Sequence, residues 1–460
     1  MSLQHMREII VNNRGVLLIS MAAAIIVFIL NRNATSESHI FTSEHVQYAR
    51  ALSGELDKPL LPFPIWGYPL AIVVFGAGVW LKLFQFFLAL LVFVWIYRTW
   101  FQSSATSITG KVLLVLFAWI WFSTASVYWP AAIAVPLWWI SLILFRRAMM
   151  TQNSIKAFIL PGVSAGIAAN FRSDLLFLTL FVFVIITALG TAKSERPALI
   201  KNVRNLAISL VAILVMLVPW GIYNMANDHG FRLTSSNGGS VAVITLGQLP
   251  GNVWGISHND LYLATILEEL DVQDQSPYHP DTDRQLWGYF FDQVSDHPVE
   301  YIKKFAWNIK NSLLGGLYVG DIQTFSGESN AEAIDDWRES LKSLVGLNVN
   351  RNTNNSDANK NSLGLLSIPF ALFVIGVGLT AVSAVVVIAA LVSLIAGARI
   401  HGLEIPERVA LSSIVGVMLM VAAFQYQPRH MNVAAPAFFI LALPAADYLV
   451  TRIRASKFFK

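Results

Sequence analysis

The chain has 460 residues, of which 55% are hydrophobic and 13% are charged, and its formal net charge is +4. Soluble proteins carry roughly 25% charged residues, so this composition excludes a soluble globular protein and indicates an integral membrane protein. The basic residues form short clusters beside apolar segments, which is not the continuous stripe of a nucleic-acid-binding protein, and the lack of cysteine excludes disulfides and Cys-ligated metals.

Ten apolar segments follow one another along the chain. Because a helix needs roughly 20 apolar residues to cross a membrane, they predict an all-α polytopic membrane protein with about ten transmembrane helices. The first part of Pro62–Tyr97 begins PFPIWGYPL and predicts an interfacial or re-entrant piece before the true span. We expect the longest segment to be one helix, tilted or kinked at Pro369. The ten segments are residues 15–31, 83–97, 111–128, 131–147, 157–170, 174–190, 205–223, 363–396, 407–424 and 431–450.

The basic clusters predict the orientation of these helices. If they stay in the cytoplasm, both termini are cytoplasmic and the first helix is retained rather than cleaved as a signal peptide. The chain then divides into an N-terminal transmembrane module (1–223) with a first extracytoplasmic loop (32–66), a large mixed extracytoplasmic loop domain (224–362) and C-terminal transmembrane helices (363–460). The turns at 170–174 and 425–430 open on the same extracytoplasmic side.

Charged residues occur at the junction of two apolar segments in the turn NFRSD. Arg172 and Asp174 lie there, and charges at membrane depth are costly unless they face a cavity or a partner. One interpretation is a functional pair. The other is a turn in which the arginine reaches lipid headgroups while Asp174 caps the next helix.

The first extracytoplasmic loop contains a short amphipathic segment. Thr42 or Ser43 is suited to cap its helix, which places Glu44 at the helix start. A carboxylate at a membrane surface can act as a general base, although an acid at a helix start also simply stabilises the helix dipole. Asp57 and Lys58 allow the same two interpretations.

Two further polar clusters lie on the predicted extracytoplasmic side. Asn237, Gly238 and Gly239 predict either backbone amides available to a phosphate or sugar, or a flexible turn. The turn QYQPRH, with Gln427, Arg429 and His430, predicts either a charged corner of a cavity or an interfacial anchor for two helices. Residues 261–270 and 281–317 predict amphipathic helices, and the histidines of this loop show no metal-ligand spacing.

Several short motifs occur in a characteristic order. They are SEHVQY, GYPLAIVVF, LKLFQFFLALLVFVWIYRTWF, GIAANFRSDLLFL, VPWGIYN with the following Gly-rich patch, DHPVEYIKKFAW and YQPRHMNVAAP. Together the chain resembles the GT-C superfamily of membrane glycosyltransferases, particularly the branch similar to dolichyl-phosphate-mannose protein mannosyltransferases and lipid A aminoarabinose transferases. The chain departs from the family pattern at Ser43, where relatives have a second acid, at Tyr223-Asn224 in place of Arg-Asn, and at Arg429-His430 in place of Arg-Tyr-Arg.

The resemblance implies transfer of a sugar, with inversion, from a polyprenyl-phosphate carrier to a glycan, lipid or protein acceptor on the extracytoplasmic face. It implies Glu44 as catalytic base and Arg172, Arg429 and His430 as ligands of the donor phosphate. We expect a bacterial inner membrane, with membrane lipids as partners. No motif requires a metal, and a divalent cation, Mg²⁺ or Mn²⁺, is an open alternative. Weaker substrate-binding candidates are Tyr48, Asp57, Lys58, Asp174, Asn237, Gly238, Gly239 and Gln427.

Two other functions fit the same sequence. A flippase or transporter for a lipid-linked sugar would have similar spans and a charged cavity, but the two halves show no internal repeat or paired broken helices. The third function is a polysaccharide polymerase or ligase. Only the family resemblance separates it from a monosaccharide transferase.

Overall fold

The computed structural model describes residues 15–16, 18–27, 40–56, 61–63, 65–101, 107–126, 129–151, 155–191, 196–258, 262–315, 317, 382–393, 405–425 and 431–455. Within these ranges all regular elements are helical. The helices are α1 Leu18–Val27, α2 Ile40–Leu52, α3 Gly67–Phe75, α4 Val79–Ile96, α5 Ile108–Ala125, α6 Ala131–Thr151, α7 Lys156–Phe171, α8 Asp174–Thr191, α9 Arg196–Ala226, α10 Gly238–Leu246, α11 Tyr262–Glu269, α12 Pro280–Asp296, α13 Pro298–Gly315, α14 Val382–Ser393, α15 Ile405–Phe424 and α16 Ala435–Ala455.

Each of the ten apolar segments overlaps one of these helices, and residues 363–381 of the eighth segment, with the predicted kink at Pro369, lie outside the described residues. Among the described residues, four helices are long and apolar enough to cross a membrane. They span Val79–Phe101, Ile108–Ala125, Ala131–Met150 and Leu199–Ala226. The other apolar helices are shorter. The structure therefore gives an all-helical protein of membrane-spanning character, and the total of ten spans stays a prediction.

The predicted division of Pro62–Tyr97 into a short piece and a longer helix is confirmed. Helix α3 ends at Phe75, the next residue, Gly76, has a φ of 73°, and α4 starts at Val79. Glycine adopts this left-handed conformation without the steric cost that a side chain adds, so the chain can break cleanly between two apolar helices.

Three details of the sequence interpretation are wrong. Helix α2 begins at Ile40, so Thr42 and Ser43 lie inside it rather than at its cap. The predicted single helix 281–317 is two helices, because Pro298 starts α13 and holds His297 in a non-helical conformation with a φ of −131°. The described part of the loop domain is helical rather than mixed.

The close packing of α7 on α9 depends on a small-residue motif. A Cβ atom built on Gly162 would lie 2.3 Å from the Ser209 carbonyl oxygen, and one built on Gly166 would lie 2.6 Å from the Met216 Cβ. Two glycines four residues apart thus allow the backbones to touch, as in other membrane helix pairs. The next residue at this spacing is Asn170, at the end of the helix, where the polar residues begin.

The loop domain has a separate core. Leu246, Ile266, Leu286 and Phe290 of α10, α11 and α12 bury their side chains together. Phe290 also packs edge-on against Phe424 at the end of α15, with ring centroids 5.8 Å apart. The loop domain is therefore attached to the same end of the bundle at which α15 terminates.

Candidate functional site

The turn between α7 and α8 carries a bidentate ion pair. The guanidinium of Arg172 donates from Nε to Asp174 Oδ1 over 3.0 Å and from Nη2 to Asp174 Oδ2 over 2.5 Å. The side chain of Arg172 is only 10% exposed, whereas that of Asp174 is 40% exposed. Asp174 is the first residue of α8 rather than the cap before it, and its carboxylate orients a nearly buried arginine; the choice between the two interpretations stays open.

Asn170 fixes this turn to two neighbouring helices. Its amide nitrogen donates to the Met216 carbonyl over 2.9 Å and to the Gly166 carbonyl over 3.0 Å, and its Oδ1 accepts from the Trp66 indole over 2.6 Å. A Cβ atom on Gly67 would lie 2.4 Å from the Asn170 carbonyl oxygen. The start of α3 thus lies directly against the turn, and only glycine allows that approach.

A row of aromatic rings runs beside the turn. Trp66 stacks on Trp220 with ring centroids 6.3 Å apart and planes 10° apart, and Trp220 stacks on Tyr223 at 5.4 Å and 4°. Trp220 is buried, whereas Trp66 and Tyr223 are half-buried. Tyr48 of α2 packs against the same cluster and accepts a hydrogen bond from the Leu61 amide over 3.3 Å.

The segment before α10 is tied to the Arg172 turn by hydroxyl groups. Ser235 Oγ donates to Asn237 Oδ1 over 2.8 Å, so the 2.9 Å contact between Ser173 and Ser235 is donated by the Ser173 hydroxyl. The Ser235 amide donates back to Ser173 Oγ over 3.2 Å. Two candidate segments that are distant in the sequence therefore share one hydrogen-bond network.

The glycines of this region have a structural role at the start of α10. The Gly239 amide donates to Asp283 Oδ1 of α12 over 2.7 Å, and a Cβ on Gly239 would lie 2.4 Å from the Asp283 carbonyl oxygen. A Cβ on Gly238 would lie 3.0 Å from Trp287 Nε1. The Gly239 amide is thus already hydrogen-bonded to a carboxylate of the protein. It could bind a substrate only if the Asp283 carboxylate moved away.

Asp283 is a buried acidic residue beside the start of α10. Burial raises the pKa of its carboxyl group, while the Gly239 hydrogen bond and the nearby Arg232 charge act in the opposite direction. Asp283 is buried in the structure, and the sequence gives no sign of this because the segment has ordinary amphipathic character.

The helix that carries Glu44 packs beside the site. Helix α2 contacts α3 through His45 and Ala49, which are buried, and the His45 ring lies edge-on to Tyr68 at 5.3 Å. The short amphipathic segment predicted for the first loop is thus a helix that buries Ala49 against its neighbour. Glu44 lies in the same helix, four residues before Tyr48.

The end of α15 is held by two polar side chains of α13. Lys304 Nζ donates to the Phe424 carbonyl oxygen, and Asn308 Nδ2 donates to the Ala423 carbonyl over 3.1 Å. Both side chains are fully buried. The carbonyls at a helix end have no partner within the helix, so α13 satisfies the last turn of α15 next to the QYQPRH turn.

The structure brings some of the predicted site residues together. The contacts described above connect Tyr48, Arg172, Asp174 and Asn237. The loop domain joins this group of residues to the end of α15. Asp57, Lys58, Gln427, Arg429 and His430 lie outside the described residues, and Glu44 is described by its backbone. The sequence interpretation missed residues whose roles depend on contacts far along the chain: Trp66, Asn170, Ser173, Ser235, Asp283, Lys304 and Asn308.

Within the described parts of the chain, no group of three or more His, Asp or Glu side chains is arranged to hold a metal ion. No protein-family model, curated protein or solved structure matches this chain.

Proposed function

We propose that the chain is an integral membrane glycosyltransferase that moves a sugar from a polyprenyl-phosphate carrier to an acceptor on the extracytoplasmic face. One observation carries the proposal. The Arg172–Asp174 turn lies between two other groups at one end of an apolar helical bundle: Asn170 joins it to the Trp66–Trp220–Tyr223 row, and Ser173 joins it to the Ser235–Asn237 segment. The donor has the matching parts: a lipid tail, a phosphate and a sugar.

Arg172 is the group proposed to bind the donor phosphate. Asp174 takes up the Nε and one Nη2 hydrogen of the guanidinium, which fixes the orientation of the planar fork. The remaining N–H groups, on Nη1 and Nη2, are the donors for a phosphate oxygen. Arg429 and His430 add positive charge from the turn that follows α15, and together these groups stabilise the phosphate as a leaving group.

Glu44 is the proposed general base. The acceptor hydroxyl attacks the anomeric carbon opposite the phosphate while its proton passes to the Glu44 carboxylate. The bond between the anomeric carbon and the phosphate oxygen breaks, and polyprenyl phosphate leaves with both electrons of that bond. The configuration at the anomeric carbon is inverted.

The aromatic row supplies a surface for the sugar. A half-buried ring offers an apolar face beside polar edges, and substrate pockets commonly combine such rings with a few polar groups. Tyr48, Asn237 and the start of α10 surround this row or the adjoining turn, so they are the groups that would distinguish one sugar from another.

The test is a donor panel with purified protein in lipid nanodiscs. Radiolabelled polyprenyl-monophosphate sugars are incubated with protein and a membrane extract that contains the acceptors, and label is followed into product. We expect transfer from one donor, loss of that transfer in Arg172→Ala, and normal transfer in Arg284→Ala, an exposed arginine of α12. Donors that bind and are never consumed would support the flippase and contradict the transferase.

A further inference from the structure

Helix α13 has a reversed distribution of polar and apolar side chains. Its buried stripe consists of Lys304, Asn308 and Ser312, four residues apart, which are 0%, 1% and 0% exposed. Lys304 and Asn308 donate to the final carbonyls of α15, and Asn308 also donates to Gln248 Oε1 over 2.8 Å. These contacts explain why polar side chains point inward.

The opposite stripe of α13 is apolar. Val299 and Ile302 are 66% and 67% exposed, and Ala306, one turn further, is also exposed. A helix on the surface of a water-soluble domain buries such residues and exposes its lysines. Because α13 buries a lysine and exposes valine and isoleucine, its outer stripe is suited to an apolar environment outside the helix.

The surroundings of α13 identify that environment. The helix packs on α15, whose Met420, one turn before the helix end, is also apolar and 62% exposed. The flanks of the stripe carry Lys303 and Lys310, both exposed, and Lys310 Nζ lies 4.2 Å from the centre of the Trp307 ring. Tryptophan and lysine beside an apolar stripe are typical of helices at a membrane–water interface.

We propose that α13 lies in the membrane–water interface, with Val299, Ile302 and Ala306 among lipid acyl chains and Lys303 and Lys310 beside anionic headgroups. The helix then joins the membrane surface to the last turn of α15 through Lys304 and Asn308. This proposal is independent of the enzymatic reaction, because it depends only on the contacts and exposure of α13.

The absence of cysteine allows a direct test by single labels. A nitroxide is attached to Val299→Cys, Ile302→Cys or Ala306→Cys in full-length protein in nanodiscs, and its collisions with oxygen and with a water-soluble nickel chelate are compared. Two labels calibrate the scale: Val215→Cys, 61% exposed within the span Leu199–Ala226, and Arg284→Cys on α12. Variants with an unchanged unfolding temperature are used.

We expect the ratio of oxygen to nickel collisions at Val299, Ile302 and Ala306 to be several-fold higher than at Arg284 and to approach that at Val215. A ratio equal to that of Arg284 would mean that the stripe faces water. Low collision rates with both reagents would mean that protein covers it, either a second copy or residues 318–381 of the chain. Both results overturn the interfacial placement.

Discussion

The carboxylate of Asp174 accepts two hydrogen bonds from the guanidinium of Arg172, only two residues before it in the chain. The pair closes the turn between two apolar helices and leaves the arginine almost buried. An ion pair in this position either only stabilises the turn or orients the arginine to bind an anion. Substitutions distinguish these two roles.

The first prediction concerns donor binding. Arg172→Ala removes charged hydrogen bonds of about 1.5–3 kcal/mol, so the Kd for a polyprenyl-phosphate sugar should rise about 10- to 100-fold. Asp174→Asn keeps the arginine charge and should change this Kd far less. Titration of a fluorescent donor into nanodiscs measures both values. Equal binding by Arg172→Ala and the unaltered protein would leave the pair with a purely structural role.

A second prediction concerns the contact of α3 with the Arg172 turn. A methyl group on Gly67 would collide with the Asn170 carbonyl, whereas one on Gly78 meets nothing within 4 Å. Gly67→Ala should therefore displace the turn and lower kcat/KM at least tenfold, and Gly78→Ala should be active. Turnover of the identified donor measures the difference. Equal activity in the two variants would show that the approach of α3 does not matter for the site.

The helix pair α7 and α9 gives a third prediction, on stability. Gly162→Ala forces the Ser209 backbone away and should cost about 1–3 kcal/mol, the usual cost of overpacking. Gly416→Ala in α15 meets nothing within 4 Å and should be neutral or stabilise by up to about 1 kcal/mol, because alanine is the better helix former. Unfolding by SDS titration in mixed micelles measures both changes. A neutral Gly162→Ala would contradict the close packing.

The buried lysine gives a fourth prediction, on pH. Burial lowers the pKa of Lys304 from 10.5 to about 7, so between these values the unfolded chain binds a proton that the folded protein has released. Stability therefore rises with pH across this window and the contribution is lost as pH falls through about 7. The unfolding temperature should increase from pH 7 to pH 9 more in the unaltered protein than in Lys304→Met. Parallel curves for the two proteins would contradict this.

Hydropathy predicted the helices well because each membrane helix satisfies its own backbone hydrogen bonds, so a local apolar pattern is enough to define it. The break at Gly76–Gly78 was also locally encoded. The contacts of the site were not, since Trp66 and Asn170 are 104 residues apart and Ser173 and Ser235 are 62 apart. No local pattern shows which distant side chains meet.

The burial of Lys304 is another feature that the local sequence could not predict. Its segment has an amphipathic pattern, in which a lysine is expected on the surface. The structure buries the lysine because the last carbonyls of α15 need donors, and the carbonyl that Lys304 contacts is 120 residues further along the chain. Likewise, the Gly-rich patch predicted either amides available to a substrate or a flexible turn, and no local pattern showed that the Gly239 amide donates to Asp283 of the protein itself.

The most direct test of the proposed reaction compares donor consumption by the unaltered protein and by Glu44→Gln in nanodiscs with a complete acceptor extract. We expect the unaltered protein to release polyprenyl phosphate from one donor. Glu44→Gln should bind that donor with the same Kd and release none. No release by the unaltered protein, or equal release by both proteins, would contradict glycosyl transfer with Glu44 as its base.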